Sequence, residues 1–424
     1  MGAQAGLQAG GPAGMQAAQQ VIMNNYFNMG TPLPQQLESI RTAFQRLGPN
    51  PTPAQIETAL TQLYNVLRVG GTLGLTYLSD AGREPRAPGA VLSRRSGDCD
   101  ELATTFIAAA MRLGIPLTGV RFAGIDFTTG RPGSAATVPH AVLFVTVNNH
   151  NFVFDMTQQA PTPVRDFSEA TIGGLYSGRS ISYGPANHSP NLTGIGTMVL
   201  LPTAADVVAG QLVIRAGYFD AQAHAASGTA RAAAFAQAIP ALADASALGS
   251  TIPFINARLR GAALNVFGRV EEFAEKEHDA KRYASAITHY RAALSLLQAI
   301  PILRASKGTR EFDIRKSLAD ACRKSGRNSE ALAEYDAMMR LRPSDPSAYV
   351  SAYELNIALY KGAKSARDRT AHLTRAYVVL RIVANSTSVD AELRARITAQ
   401  RATLERHLRS LGVDPASITI PRSP

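Results

Sequence analysis

Two cysteines in 424 residues, no tryptophan and no lysine before Lys276 are the absences that narrow this sequence. Cys99 and Cys322 lie far apart, so they offer neither a disulfide framework nor a cysteine-based metal cluster, and a reducing, cytoplasmic compartment suits them. No run of about 18 or more apolar residues occurs, which excludes an apolar membrane-spanning helix. The start, MGAQAGLQAGGPAGMQAAQQ, has neither a basic cluster nor an apolar stretch and does not read as a secretory signal. Residues 1–34 are expected to be a disordered low-complexity tail. No glycine-rich phosphate loop and no metal-ligand spacing is found; no cofactor is expected. His188, His224, His278, His289, His372 and His407 are scattered and read as structural or exposed.

Charge is unevenly placed. Residues 1–250 carry 14 arginines and 14 acidic groups, leaving 29 basic and 18 acidic groups of the chain's 43 and 32 for the remainder. Solvated helix faces or an acidic protein partner account for this surplus. Nucleic acid is not the expected partner, because the densest basic stretch, KGAKSARDR at 361–369, lacks interleaved aromatic residues. Arginine-favouring codon use accounts for the missing lysines, although a lysine-free half also suits an enzyme that acylates amines.

Two amphipathic helices are expected over Gln36–Leu47 and Pro53–Val69, each ended by a glycine. Between Gly119 and Thr157 the texture turns β-branched and aromatic: GVRFAGIDF, HAVLFVTV and NFVFDMT read as strands. The segment from about Gln158 to Gly210, rich in Gly, Pro, Ser and Asn, reads as long loops. Ala-rich linker or helices fill 211–255, and helical periodicity runs over 256–384. A terminal capping helix and tail occupy 385–424.

The helical half repeats itself. YASAITHYRAAL (Tyr283–Leu294) and NSEALAEYDAMM (Asn328–Met339) align Ala286 with Ala331 and Tyr290 with Tyr335. A small residue lets helices approach closely, and the aromatic one turn on fills the groove. With Leu318, Gly326 and Pro343 this segment resembles the tetratricopeptide repeat, whose family binds protein partners. The two units are spaced wider than that repeat's period, so an insertion around Ile302–Arg310 is expected to loop out. Cys322 falls on the core face of this repeat.

SGDCDELATTFIAAAMRLGIP, residues 96–116, carries the other cysteine. Asp98 followed by Glu101 forms a capping-box pattern that starts a helix at Cys99, and Gly114 and Pro116 end it. A sulfur in a first turn meets unpaired amides and the positive end of the helix dipole, which favour a thiolate. Cys99, Leu102, Ala103, Phe106, Ala110 and Leu113 also form one apolar stripe, so an inert core thiol explains the position equally well. The strands bear on this choice. A two-residue turn at Asn148-Asn149 pairs Val147 with His150 and sets Asp155 opposite Val142, diagonal to His140 and on its face. His150 alternates to the other face.

The motifs G-D-C-D-E-L-A, R-L-G-I-P, P-H-A-V and F-V-F-D-M-T resemble the transglutaminase-like superfamily of papain-like cysteine enzymes over about Ala87 to Thr157. The resemblance implies an α+β papain/transglutaminase-like core over 35–210, a helix packed on an antiparallel sheet, followed by the all-α helical-repeat domain. It implies a catalytic triad of Cys99 as nucleophile, His140 as general base and acid, and Asp155 as the group that orients the imidazole. Acyl transfer on protein amide bonds follows, with water as acceptor in a peptidase or amidase and an amine in a cross-linking transamidase. Val142 stands where the family often has an aromatic residue, and no upstream Trp or Gln is placed to donate to an oxyanion. A non-catalytic adaptor working through its repeats is the competing reading.

Overall fold

The computed structural model describes residues 12–30, 32–78, 83–116, 120–128, 137–147, 150–157, 164–165, 180–182, 195–201, 203–384 and 391–419. They divide into two compact units, one of Met1–Ala225 with Gln237–Ala262 and the other of Ala226–Ala236 with Ala263–Pro424.

In the first unit, α1 (Pro12–Tyr26), α2 (Gln35–Gln45) and α3 (Pro53–Leu67) lead into β1 (Thr76–Tyr77), α4 (Pro88–Arg94), β2 (Ser96–Gly97) and α5 (Cys99–Leu113). α3 starts at a capping box between Thr52 and Gln55 and a proline at its first turn. β1 and β2 form a parallel pair, Thr76 beside Ser96 and Tyr77 beside Gly97. Next come β3 (Val120–Thr128), β4 (Thr137–Val147), β5 (His150–Phe154), β6 (Val164–Arg165), β7 (Ser180–Ser182) and β8 (Ile195–Leu201). They form an antiparallel sheet in the order β6-β5-β4-β3-β8-β7. The β4–β5 register pairs Val147 with His150, as the turn reading requires, while Asn148 and Asn149 themselves lie outside the described residues. Aromatic packing locks this hairpin to the helices: the Phe154 ring lies 5.3 Å from Tyr64 of α3 and 5.2 Å from Phe106 of α5. α6 (Ala204–Ala225), α7 (Gly228–Ala247) and α8 (Pro253–Asp279) follow, the last two running from one unit into the other.

The expected α+β papain/transglutaminase-like core is not the class of this protein. Helices make up most of the described residues and the strands, two to eleven residues long, form small sheets, so the chain is mainly helical. The expectation failed on the alanine-rich segments. Their weak periodicity suggests tail over 1–34 and loops up to Gly210 and leaves 211–255 open between linker and helices, but alanine has the highest helix propensity and its small side chain permits close packing. Within the expected tail, α1 buries Ala18 and Ile22, followed by Phe27 and Met29, and Gln19 Nε2 donates to the Ala247 and Leu248 carbonyls, both at 3.2 Å. Residues 1–11 of that tail lie outside the described residues. The loop expected over 158–210 contains the strand β8 and the start of α6.

The second unit continues α8 with α9 (Tyr283–Ala299), α10 (Pro301–Lys307), a short 3-10 turn at Gly308–Arg310, α11 (Glu311–Lys324), α12 (Asn328–Leu341), α13 (Pro346–Gly362), α14 (Ala366–Ala384) and α15 (Ala391–Ser410). The expected loop at Ile302–Arg310 is instead helical, because Pro301 supplies a fixed φ at the first turn of α10 and Leu303 is buried. The aligned residues are core: Ala286, Ala331, Leu318 and Cys322 are fully buried, and Tyr290 and Tyr335 nearly so.

His289 of α9 is also buried, 2% exposed. Its Nδ1 lies 3.0 Å from the Ser285 carbonyl, its ring meets Phe235 edge-on at 6.0 Å, and Nε2 has no partner among the described residues. Burial holds the imidazole below its ordinary value, opposed by the Ser285 bond and the Glu277 carboxylate. The unfolded chain therefore takes up a proton near pH 6.5 that the folded unit refuses. Stability from this group is complete above about pH 6.5 and falls as the pH drops below it, by at most about 1.4 kcal/mol per pH unit within that window. Urea unfolding at pH 7.5 and 5.5 is expected to show this loss, and His289→Phe is expected to reduce it.

Candidate functional site

The mouth of α5 is built by its cap. Asp98 is extended, with φ −85° and ψ −172°; its Oδ1 accepts the Glu101 N–H at 2.9 Å, and the Glu101 carboxylate accepts the Asp98 N–H at 3.2 Å. The helix therefore begins at Cys99, as the sequence pattern requires, and ends at Gly114, whose φ of 75° suits a residue without a side chain. Cys99 is half-buried and not in a disulfide. Beneath it, Gly97 lets β2 lie close on α5: a Cβ there would stand 3.1 Å from Leu102 Cγ and 3.3 Å from Val91.

Two arginines that no sequence motif marks complete the cap. Arg86, 8% exposed, donates its backbone N–H to Glu101 Oε1 at 2.7 Å, and its guanidinium reaches Oε1 at 3.3 Å and Oε2 at 3.0 Å. Arg83 Nη2 donates to Glu101 Oε2 at 2.8 Å, to Asp98 Oδ2 at 3.2 Å and to the Leu78 carbonyl at 3.0 Å, tying the end of β1 to the helix mouth. Burial pushes the Glu101 carboxyl up to about 7, although the Asp98 N–H and Arg83 pull it down. Burial and then the hydrogen-bonded Asp100 carboxyl push Asp98 far above the usual carboxylate range. The Tyr26 phenol is raised too, by burial first and then by the nearby Asp100 and Glu101. From α6, Gln211 Nε2 donates to Asp100 Oδ2 at 2.6 Å and Arg215 pairs with Glu84 at 2.9 Å. No local motif signals these partners, since Gln211 stands 111 residues from Asp100.

Of the three expected site residues, the structure fully places two. Asp155 is buried one residue past β5. Its Oδ1 accepts the Thr157 N–H at 3.0 Å and the Thr157 hydroxyl at 2.7 Å, and its carbonyl accepts the Tyr64 hydroxyl at 3.2 Å. Continued by one residue, the β4–β5 ladder sets Asp155 against Val142. The backbone of His140 lies in β4, opposite Ile125 of β3, and its side chain lies outside the described residues. His150, whose ring approaches Phe152, belongs to the aromatic row leading to Phe154. His188 also lies outside the described residues.

Chemically, the helix mouth can present a thiol beside backbone amides that are suited to an anion, within a frame of buried carboxyls hydrogen-bonded to arginine. Among the described residues no group of three His, Cys, Asp or Glu could hold a metal ion, and no helix is long and apolar enough to cross a membrane. Neither a protein-family model nor a curated protein sequence matches the chain.

Proposed function

We propose that the protein transfers acyl groups from protein amide bonds through Cys99, acting as a peptidase or amidase, with its helical repeats holding the substrate or a protein partner. The reading is carried by one observation: a half-buried thiol opens a firmly capped helix that packs against the hairpin bearing His140 and Asp155. The motifs around these residues resemble the transglutaminase-like superfamily in order and in flanking residues. Deprotonated Cys99 attacks the carbonyl carbon, the C–N bond breaks as His140 protonates the departing amine, and the resulting thioester is cleaved by water. Asp155 orients the imidazole. The lysine-free stretch before Lys276 favours a second reading, in which a primary amine replaces water, because such an enzyme would have few amines of its own to acylate. A reducing, cytoplasmic setting suits a free nucleophilic thiol.

The test is labelling of the full chain with an amide-mimicking electrophile, a peptidyl acyloxymethyl ketone, mapped by mass spectrometry. Modification is expected at Cys99, sparing the buried Cys322, and is expected to slow sharply in His140→Ala. Labelling at Cys99 that ignores His140 would remove the histidine from its role and the triad with it.

A further inference from the structure

Gln211 is 4% exposed, and it leaves a hydrogen bond unmade: Nε2 donates to Asp100 while Oε1 is buried without a partner among the described residues. A leucine or methionine would fill the same space on α6 without burying an unsatisfied acceptor. Among the described residues, the amide's one hydrogen bond goes to the residue after Cys99. One turn along α6, Arg215 grips Glu84, next in sequence to the Arg83 that holds Asp98 and Glu101. The same face of α6 thus meets the first turn of α5 at Asp100 and, through Glu84, the segment that carries Arg83.

We propose that Gln211 is a positioning residue for Cys99: its N–H holds Asp100 and draws that carboxylate's charge toward α6 instead of leaving it beside the sulfur. The proposal rests on the acyl-transfer reading for the reaction it serves, but its effect on the thiol is a property of the folded chain. Among the described residues, the other charged or titratable groups around Asp100 are Asp98 and Glu101 in the cap, Arg83 and Arg86 against them, Tyr26 from α1, and Arg215 from α6 with its partner Glu84. They are common to all the variants compared, so their contribution cancels.

The experiment follows alkylation of Cys99 by iodoacetamide in the full chain, read by peptide mass spectrometry between about pH 6 and pH 10. Gln211→Leu is expected to move the profile to higher pH, lowering the rate at neutral pH roughly threefold, the equivalent of about half a pH unit. In an Asp100→Asn background Gln211→Leu is expected to do nothing, because the charge it manages is gone. Gln211→Met, closer in shape, provides the same readout should the leucine variant not fold. An unchanged profile accompanied by a lower Tm, or a shift that persists in Asp100→Asn, would show a purely structural glutamine and overturn the proposal. Wild-type chain that alkylates normally but turns over no amide would end the acyl-transfer reading while leaving the Gln211 comparison decisive.

Discussion

Cys99→Ala is expected to reduce amide turnover to the uncatalysed background, a loss on the order of 10⁴-fold or more, as removal of a covalent nucleophile does. The fold is expected to survive. The thiol is half-exposed at the first turn, and the cap that starts α5 is made by Asp98 and Glu101, which the substitution leaves in place. Urea unfolding within about 1 kcal/mol of wild type would confirm this. His140→Ala and Asp155→Asn are each expected to lose less than adds up with Cys99→Ala, since groups acting on one bond fail as a unit. Asp155→Asn carries a structural cost as well, because Oδ1 anchors both the Thr157 N–H and its hydroxyl. The informative measurement is therefore turnover alongside stability. Turnover in Cys99→Ala equal to wild type would remove Cys99 as the nucleophile, and a wild type that turns over no amide would leave an adaptor working through its repeats.

Arg86→Leu is expected to destabilise the fold at pH 8 and above, because the buried Glu101 carboxylate loses one of its two arginine partners; the ionisation part of the loss is at most about 1.4 kcal/mol for each pH unit above about 7. Glu101, 1% exposed, would keep Arg83 and the Arg86 backbone N–H but lose both guanidinium contacts. The cost depends on pH. Glu101 already sits at about 7 in the fold against 4.5 in the unfolded chain, and losing Arg86 raises the folded value further. A group whose folded value is raised contributes stability that is complete below its unfolded value and lost as the pH climbs through the folded one. The damage is therefore expected to be largest in mild alkali and to shrink as the pH falls below about 7, where Glu101 is protonated in both folded chains and the shared unfolded value cancels. Denaturant unfolding of wild type and Arg86→Leu at pH 8 and pH 5 would show the two curves converging in acid. Parallel curves would mean that Glu101 is not the group left uncompensated. Glu101→Leu added to Arg86→Leu is expected to recover part of the loss, less the capping bond to the Asp98 N–H.

The local devices were legible in the sequence. The Asp98–Glu101 capping box, the Gly114 stop, the three strand segments and the Val147–His150 register all depend on neighbours within a few residues, and the backbone obeys them. The two short helices appear at Gln35–Gln45 and Pro53–Leu67, close to the expected bounds. Alanine-rich stretches were not legible. A periodicity argument needs contrast between apolar and polar residues, and alanine offers little, so α1 falls in the expected tail and the start of α6 in the expected loops, while 211–255 is left open between linker and helices, and the fold class is misjudged with them. The partners of the cysteine helix were beyond reach for another reason. Arg83 and Arg86 precede it by more than a dozen residues, Gln211 follows by more than a hundred, and nothing in their neighbourhoods marks them as contacts of one turn.

By itself, then, the sequence determined where the capped helices start and stop and how the central hairpin pairs, because caps, turns and strand alternation are settled over three or four residues by backbone hydrogen bonds. Only the tertiary structure decided that this is a mainly helical protein, and that the turn carrying Cys99 is framed by Arg83, Arg86 and Gln211. Burial makes charges and amides seek partners wherever the chain brings them together in space, and that search leaves no mark on the order in which they are written.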